Sequence, residues 1–281
     1  MAKMNKIIVV NKESGMTSRD VVNKLNKILG TKKIGHTGTL DPIASGVLVI
    51  CVGKYTKLVD EIVSLDKEYI ATVKLGILTD TLDIEGNIID KKEYDVSIEQ
   101  LKEVFKSFIG SYLQEVPKYS AVKINGKKLY EYARENIDIE LPKREVSIYE
   151  LELLDFNKDS FKFRTRVSKG TYIRSLINDI CSKLNTYGVM TDLIRTKQGK
   201  FSINESYTLK DIENNNYKSL DIEDVLDLKV LDITDDNIKL VMNGNKLNLD
   251  LDNGDYLVKV NNQVEAIYTF TNKEGKIKIK F

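Results

Sequence analysis

The 281-residue sequence has no tryptophan, only three prolines and two cysteines, and a single histidine. The cysteines, Cys51 and Cys181, lie far apart and neither is part of a CxxC pair. The sequence therefore favours the reduced, buried thiols of a cytoplasmic protein over disulfides or a zinc site. Long apolar runs are also missing, since the run at residues 7–10 is too short for a secretory signal or a membrane span. We expect no membrane association.

Charge of neither sign dominates, but the charges are distributed unevenly. The formal net charge is +1, whereas residues 221–255 contain ten acidic groups and three lysines. Residues 117–134 and 162–174 contain five basic groups each, and Glu131 is the only acid within them. Basic side chains interleaved with tyrosines are typical of surfaces that bind a polyanion such as RNA. The alternative is an ordinary solvated face.

Strand and helix patterns alternate without a regular strand–helix–strand repeat. Residues 47–52 are typical of a strand covered on both faces, and residues 97–110 follow helical spacing from a serine cap to a terminal glycine. Ser18 is the predicted N-cap of an earlier helix that ends at Gly30. We therefore predict an α+β fold with a largely antiparallel, mixed sheet and flanking helices.

The C-terminal part of the sequence changes character. Short apolar runs, among them IKLVM at residues 238–242, alternate with Asn–Gly and Asn–Asn turn pairs. We interpret all of these runs as strands and predict a small, all-β domain of residues 225–281 after a larger domain of residues 1–224. The acidic segment around residues 213–228 is the expected linker.

One glycine-rich stretch, GHTGTLDPIASGVLVIC at residues 35–51, contains the single histidine and leads into an apolar run. His36 precedes Asp41 by five residues. Taken alone, an Asp–Pro pair among glycines is usually a turn, and a lone histidine near glycines is usually structural. The stretch therefore indicates chemistry only in combination with other motifs.

Four further stretches supply that combination. NKESGMTS precedes the glycine-rich stretch, and KEYIATVKLGILTDTLDIEG, VPKYSAVKINGKKLYEYAR and VSKGTYIRSLINDI follow it. In this order they resemble the motifs of the TruB family of tRNA pseudouridine-55 synthases, from residue 7 to about residue 205. The resemblance implies the pseudouridine synthase fold with a PUA-like C-terminal domain. It also implies isomerisation of one uridine in the T-loop (T-arm) of tRNA, with neither a metal nor an organic cofactor.

The resemblance assigns roles to individual residues. Asp41 matches the essential aspartate of the family, Tyr69 its active-site tyrosine, and Arg174 the arginine that pairs with the aspartate. The positions that match its substrate contacts are His36, Tyr69, Tyr172 and Leu193. From the two basic clusters, the residues expected to contact the RNA backbone are Lys123, Lys127, Lys128 and Lys169.

The chemistry of the implied reaction fits these residue types. Isomerisation breaks the N1–C1′ bond and joins C5 to C1′, after the target base has been flipped out of its stack. A carboxylate can act at the sugar as nucleophile or as base, and the sequence leaves both roles open.

Two other functions compete with this interpretation. A glycosidase would need a second carboxylate beside Asp41, for which Asp80 and Asp83 are candidates. A non-catalytic RNA-binding protein or tRNA folding chaperone would need no carboxylate at all. Two residues depart from the family pattern: Glu13 stands where a proline is common, and Tyr55 stands where a small residue is common. We expect these departures to affect local packing rather than activity. A monomer is the expected state, although the sequence does not determine it.

Overall fold

A nine-stranded sheet and a five-stranded sheet contain most strands of the computed structural model, which describes residues 5–234 and 236–281. In chain order the strands are β1 (Lys6–Lys12), β2 (Ile34–His36), β3 (Ser45–Val52), β4 (Lys67–Leu75), β5 (Ile77–Thr79), β6 (Ile88–Lys91), β7 (Gly110–Glu115), β8 (Lys123–Ile124), β9 (Lys127–Lys128), β10 (Lys143–Phe156), β11 (Ser160–Val167), β12 (Gly188–Gln198), β13 (Phe201–Ser202), β14 (Lys229–Ile233), β15 (Leu247–Asn248), β16 (Gly254–Val260), β17 (Gln263–Thr271) and β18 (Glu274–Lys280). The helices are α1 (Ser18–Ile28), α2 (Val59–Val63), α3 (Ile98–Lys106), α4 (Leu129–Arg134), α5 (Ile173–Lys183), α6 (Leu209–Glu213), α7 (Ile222–Val225) and α8 (Asn237–Asn243). Short 3-10 turns cover Gly53–Leu58 and Ile203–Glu205.

The larger sheet is mixed but mostly antiparallel. Its strand order is β1-β3-β12-β4-β11-β10-β7, with β2 beside β3 and β13 beside β12. Only the pairing of β12 with β3 is parallel among these, and it joins Arg195 to Gly46. A glycine is required there, because a Cβ on Gly46 would lie 2.3 Å from the carbonyl oxygen of Arg195. The expected α+β fold is confirmed.

Strand β3 is buried on both faces, as its continuous apolar run predicts. Val47 and Val49 pack in a cluster that extends to the C-terminal sheet, whereas Leu48 and Ile50 pack against α1. Both clusters fix the position of the strand that directly follows the glycine-rich stretch.

The predicted helices form, and one of them begins a residue earlier than expected. Thr17, not Ser18, is the N-cap of α1, because its hydroxyl accepts a hydrogen bond from the N–H of Asp20. Ser18 is buried, and its hydroxyl bonds instead to the backbone of Leu40 at the glycine-rich stretch. Gly30 follows the helix with a φ of +62°, as expected for a glycine that ends a helix.

Among the described residues, no helix has both the length and the apolar character needed to cross a bilayer.

The C-terminal sheet has the strand order β14-β16-β17-β18-β15. It confirms the expected strand-rich, PUA-like domain with one correction, since the IKLVM run belongs to helix α8 and the domain is not all-β. Ile238 and Val241 lie three residues apart and pack on the same cluster. Gly244, with a φ of 72°, then ends the helix.

The two sheets are joined by one buried cluster. It contains Val9 and Val49 from the larger sheet together with Leu257, Ile267 and Phe281 from the C-terminal part. Because residues of both sheets are buried in this one cluster, its apolar contacts stabilise both sheets at once.

Helix α7 lies inside the acidic segment that was expected to be a linker. Its Ile222 and Val225 are buried in the same shared cluster, and the expected division between the domains falls within this helix. Tyr55, one of the two departures from the family pattern, packs edge-on against Phe281 with ring centroids 5.8 Å apart.

Candidate active site

The Asp41 loop (residues 37–44) connects β2 to β3 and is held on one side by the turn that follows β1. The N–H of Gly15 donates to the carbonyl of Pro42 at 2.9 Å. The hydroxyl of Ser18 accepts from the N–H of Leu40 at 2.9 Å. The NKESGMTS motif therefore fixes the backbone on both sides of Asp41.

Lys12, the last residue of β1, is fully buried against this loop. Its ammonium donates to the carbonyls of Glu13, Met16 and Pro42 at 3.0, 2.6 and 3.3 Å. Burial lowers the pKa of Lys12 to about 8, and the Asp41 carboxylate opposes this shift. Sequence reasoning gave Lys12 no role, although it is the second residue of the NKESGMTS motif. Because Glu13 contributes its backbone carbonyl, the unusual side chain there leaves the contact intact.

Strand β12 holds the Asp41 loop from the other side through two buried polar residues that sequence reasoning also missed. The guanidinium of Arg195 donates to the carbonyls of Gly38 and Val47 at 3.0 and 2.6 Å. The amide of Gln198 donates to the carbonyl of Thr37 at 2.7 Å. Buried donors that are satisfied in this way hold a loop in one conformation.

Arg174, the second residue of α5, forms a two-point ion pair with Asp41. Its Nε lies 2.9 Å from Oδ2, and its Nη2 lies 3.3 Å from Oδ1. The same guanidinium donates to the carbonyls of Thr81 and Tyr119 at 2.8 and 2.9 Å. The Arg174 side chain is 5% exposed and that of Asp41 is 34% exposed. The arginine is thus fixed in the interior, and the carboxylate is the partner open to a ligand.

A second carboxylate, Asp83, approaches the same guanidinium from another side. Its Oδ2 lies 4.0 Å from Nη1 of Arg174, and its side chain is 9% exposed. Its Oδ1 accepts hydrogen bonds from the hydroxyl of Thr81 and the N–H of Glu85. Sequence reasoning considered Asp83 only as a glycosidase partner and did not foresee this contact.

An apolar wall adjoins the ion pair. Tyr69 on β4 and Leu193 on β12 are 8% and 5% exposed. They belong to one cluster with Leu40 and Ile173, the residues directly before the two members of the ion pair. The structure therefore brings together the predicted residues from three distant parts of the chain.

Tyr172 is the N-cap of α5 and lies two residues before the arginine. Burial raises the pKa of its phenol, and the charges of Arg174 and Asp41 contribute smaller, opposite effects. The residue therefore lies at the same end of α5 as the arginine of the ion pair.

His36 lies at the end of β2, directly before the Asp41 loop. Burial lowers the pKa of its imidazole, and the charges of Arg195 and Arg19 lower it further, so the ring is neutral at neutral pH. Within the described residues, its buried Nδ1 has no hydrogen-bond partner.

Known proteins share both the sequence and the fold around this site. The model of the TruB family pseudouridylate synthase N-terminal domain matches residues 26–173. The chain belongs to this family. The tRNA pseudouridine synthase B of Clostridium novyi is 41% identical over 276 residues, which cover 97% of this chain and 93% of that protein. The enzyme of the same name from Fusobacterium nucleatum subsp. nucleatum is 52% identical over 200 residues, 71% of this chain and 70% of that protein.

A solved structure extends the similarity to the whole chain. A chain from the crystal structure of a Cbf5–Nop10–Gar1 complex superimposes with a TM-score of 0.75 at 25% identity, covering 99% of this chain and 84% of that one. The pseudouridine synthase fold expected from the sequence is thereby confirmed.

Three of the four lysines expected to contact RNA in this TruB-family chain lie on one short hairpin. In this lysine hairpin (residues 123–128), Lys123 pairs with Lys128 across β8 and β9. Asn125 and Gly126 form its turn with φ values of 50° and 82°, the conformation that Asn–Gly favours in two-residue hairpins.

Two of the three cations of the lysine hairpin, Lys127 and Lys128, already have partners within the protein. Lys127 forms an ion pair with Glu135 and lies over the ring of Tyr132 at 4.9 Å from its centroid. Lys128 lies 5.3 Å from the ring centroid of Tyr130. These contacts are partly exposed, and such pairs stabilise a fold by only about 1 kcal/mol or less each. A phosphate can therefore compete with them.

The second basic cluster, residues 162–174, is less cationic in three dimensions than in the sequence. Arg164 pairs with Glu152 at 2.6 Å, and Arg166 pairs with Glu150 at 3.0 Å, because the neighbouring strand β10 carries the acids. Lys169 remains exposed and forms no ion pair within the described part of the chain. Of this segment, Lys169 is the residue expected to contact the RNA backbone, and that expectation stays a prediction.

The site as a whole combines one accessible carboxylate, a buried cation that orients it, and an apolar wall. This arrangement suits attack or proton transfer at a sugar carbon beside a planar base. Within residues 5–234 and 236–281, no group of three or more potential ligands is placed to hold a metal ion.

Proposed function

We propose that this chain isomerises the uridine at position 55 in the T-loop of tRNA to pseudouridine, in the cytoplasm, where tRNA is found. The observation that carries the proposal is the two-point ion pair between Asp41 and the buried Arg174, beside the apolar wall of Tyr69 and Leu193. The similarity to enzymes named tRNA pseudouridine synthase B supports the choice of substrate.

The proposed reaction begins when the target nucleotide leaves its stack and enters the site. Base flipping costs a few kcal/mol and must be offset by contacts in the pocket. The Tyr69 ring offers a flat surface for the uracil, and Leu193 closes the apolar wall. His36, directly before the Asp41 loop, and Tyr172, at the N-cap of α5, are the residues we assign to the border of the nucleotide.

Asp41 then acts at the ribose. Its carboxylate either attacks C1′ or removes a proton from the sugar, and either step lets the N1–C1′ bond break. The uracil turns within the pocket and C5 bonds to C1′. If Asp41 has attacked C1′, this step breaks the bond between C1′ and the carboxylate oxygen; if Asp41 has removed a sugar proton, that proton is returned to the sugar. The proton on C5 is then lost while N1 gains one. No electrons are transferred, so the chain needs no redox partner. The Arg174 guanidinium holds the carboxylate in one orientation through two contacts.

The phenol of Tyr69 is the group we assign to the C5 proton. Its ring is held in the buried cluster beside the ion pair, so its hydroxyl has a restricted position. Proton transfer needs such a positioned group within hydrogen-bond reach of the reacting atom.

RNA binding is assigned to the lysine hairpin and to Lys169, which are exposed or partly exposed cations. Contacts of this kind bind the phosphate backbone and position the RNA without reading bases. The shape of the T-loop and the pocket around the flipped base then determine which uridine reacts.

The glycosidase alternative has less support. Asp83 approaches the far side of the guanidinium rather than facing Asp41 across an open site, and its side chain is 9% exposed. A pair of catalytic carboxylates must both reach the sugar.

A tritium-release assay tests the proposal. A tRNA transcript labelled with tritium at uracil C5 should release one equivalent of tritium per tRNA to water in the presence of the protein. A matched transcript with cytidine at position 55 should release none. Tight tRNA binding without any release would support the non-catalytic alternative and overturn the enzymatic one.

A further inference from the structure

Three hydrogen-bonded contacts connect strand β7 to helix α5, which carries Tyr172 at its N-cap and Arg174 in its first turn. The hydroxyl of Ser175 donates to the carbonyl of Glu115 at 2.8 Å. The other two contacts involve Gln114 and Tyr112, which point to the same side of β7 because they are two residues apart.

Gln114 binds the backbone of Tyr172 at two points. Its Oε1 accepts a hydrogen bond from the N–H of Tyr172 at 2.7 Å, and its Nε2 donates to the carbonyl of Tyr172 at 3.1 Å. The Gln114 side chain is 1% exposed, so water does not offer either group an alternative partner.

This contact supplies what the helix itself lacks. The N-cap of α5 is a tyrosine, which makes no side-chain capping hydrogen bond. In a capping box the N-cap N–H is bonded by a side chain of the same helix. Here the side-chain amide of Gln114 makes this bond from strand β7 instead. Gln114 therefore determines where the helix begins.

Tyr112 extends the contact to a second point on the same helix. The Nε2 of Gln114 donates to the Tyr112 hydroxyl at 2.7 Å, and that hydroxyl donates to the carboxylate of Asp179 at 3.1 Å. Asp179 lies two turns after Tyr172 on α5, so one continuous chain of hydrogen bonds fixes both the start and the middle of the helix.

We propose that Gln114 is a positioning residue for catalysis: through the backbone of Tyr172 it sets the first turn of α5, and thereby the placement of the Tyr172 ring and of the Arg174 guanidinium against Asp41. The inference rests on the proposed function, since it concerns the same site and the same reaction. Gln114 contacts neither Asp41 nor Arg174 through any hydrogen bond within the described residues. Its effect is therefore transmitted by the helix start.

The test compares Gln114→Met, which keeps the length and burial of the side chain but removes all three of its hydrogen bonds, with Gln114→Glu. The glutamate retains the oxygen that accepts from the Tyr172 N–H. The matched control is Gln100→Met, which removes an exposed glutamine from the capping box of α3, away from the site. Each variant is characterised by its thermal midpoint, its Kd for tRNA and its single-turnover rate of tritium release.

We expect Gln114→Met to lower the single-turnover rate by about 10- to 100-fold, because small displacements of reacting groups have effects of that size. The Kd for tRNA should change little, and Gln114→Glu should recover part of the rate. The Gln100→Met control should keep the wild-type rate. A merely structural role would instead lower the thermal midpoint of Gln114→Met and leave the rate of the folded fraction unchanged, which overturns the inference.

A double-variant cycle tests whether the effect passes through the helix start. In a background of Arg174→Lys, adding Gln114→Met should slow the reaction by no more than about threefold, since residues that act as a unit are not additive. A multiplicative loss would contradict the inference.

Two further results keep the inference separate from the proposed function and from a folding defect. If the wild-type protein releases no tritium, the proposed function fails. If the wild type is active and Gln114→Met is equally active, only the inference fails. Should Gln114→Met not fold, Tyr112→Phe removes a single hydroxyl and should still slow turnover by about three- to tenfold. A wild-type rate in folded Tyr112→Phe would then refute the inference.

Discussion

The Asp41 site and the lysine hairpin hold their charged groups in opposite ways. Arg174 is 5% exposed and has four polar contacts with fixed partners, two of them to Asp41. Lys127 and Lys128 are half-buried on a hairpin whose strands are two residues long, and their partners are one surface carboxylate and two tyrosine rings. The comparison indicates that the interior site is organised before RNA arrives, whereas the hairpin can exchange its partners for phosphate.

The substitution Asp41→Asn should have the largest effect on turnover. The amide keeps the shape of the side chain and can still contact Arg174, but it loses the charge and basicity needed at the sugar. We expect the single-turnover rate to fall by about a thousandfold or more. Tritium release measures this, and Asp155→Asn, an exposed aspartate that bonds to Asn157, is the matched control.

Arg174→Lys should be the next most damaging change. A lysine cannot bond at the same time to both carboxylate oxygens and to the carbonyls of Thr81 and Tyr119. We expect the rate to fall by about a hundredfold with a small change in Kd. The control is Arg164→Lys, which alters only a surface ion pair with Glu152. Near-normal turnover by Arg174→Lys would mean that the ion pair does not orient the carboxylate.

Phe281→Ala should lower the stability of the fold without affecting either the Asp41 site or the lysine hairpin. Phe281 is 7% exposed and packs on Tyr55 in the cluster shared by the two sheets. We expect the free energy of unfolding to fall by about 3 kcal/mol, with rate and Kd unchanged at a temperature where the variant is folded. Chemical denaturation measures this decrease. For the same reason, removal of the chain after residue 225 should destabilise the larger sheet and not only weaken RNA binding.

The double substitution Lys127→Gln and Lys128→Gln should weaken tRNA binding by about five- to tenfold and leave the single-turnover rate unchanged. For each phosphate that the variant no longer neutralises, the log–log salt slope should also fall by about 0.7 to 0.9. Filter binding at several salt concentrations measures both quantities. Lys273→Gln with Lys276→Gln, two exposed lysines of the C-terminal part, is the control. Unchanged affinity and slope would show that the lysine hairpin is only a solvated face.

Asp179→Asn should produce the smallest effect, on stability as a function of pH. Burial raises the pKa of Asp179 from 3.8 to about 6, so the folded state binds the proton more tightly than the unfolded state does. Wild-type stability from this group is therefore present below about pH 4 and is lost as the pH rises towards 6. Because the carboxyl is partly exposed, we expect the variant to gain only about 1 kcal/mol relative to wild type between pH 4 and 7. A constant difference across this range would contradict the raised pKa.

Local patterns were sufficient to predict much of the fold. The apolar run of β3 and the Ser97 cap of α3 both led to the correct elements. The IKLVM run misled because a short, mainly apolar run fits a strand or a helix equally well, and only the core contacts of Ile238 and Val241 distinguish the two.

The site was predicted where motifs exist and missed where a contact depends on tertiary structure. Asp41, Tyr69 and Arg174 were assigned through their motifs; the structure pairs Asp41 with Arg174 and buries Tyr69 in the cluster that contains the residues directly before them. Lys12 and Gln114 bond to backbone atoms of segments distant in sequence. No local pattern reveals such a contact, since it depends on which strand lies next to which loop.

The most direct test of the division between the two regions measures single-turnover rate and tRNA affinity in parallel for Asp41→Asn and for the Lys127→Gln, Lys128→Gln variant. We predict that the aspartate variant binds tRNA with nearly wild-type Kd and releases no measurable tritium. We predict that the lysine variant reacts at the wild-type rate once saturated but needs more protein to reach saturation. If Asp41→Asn turns over, or if saturating the lysine variant does not restore its rate, chemistry and RNA binding are not divided in this way.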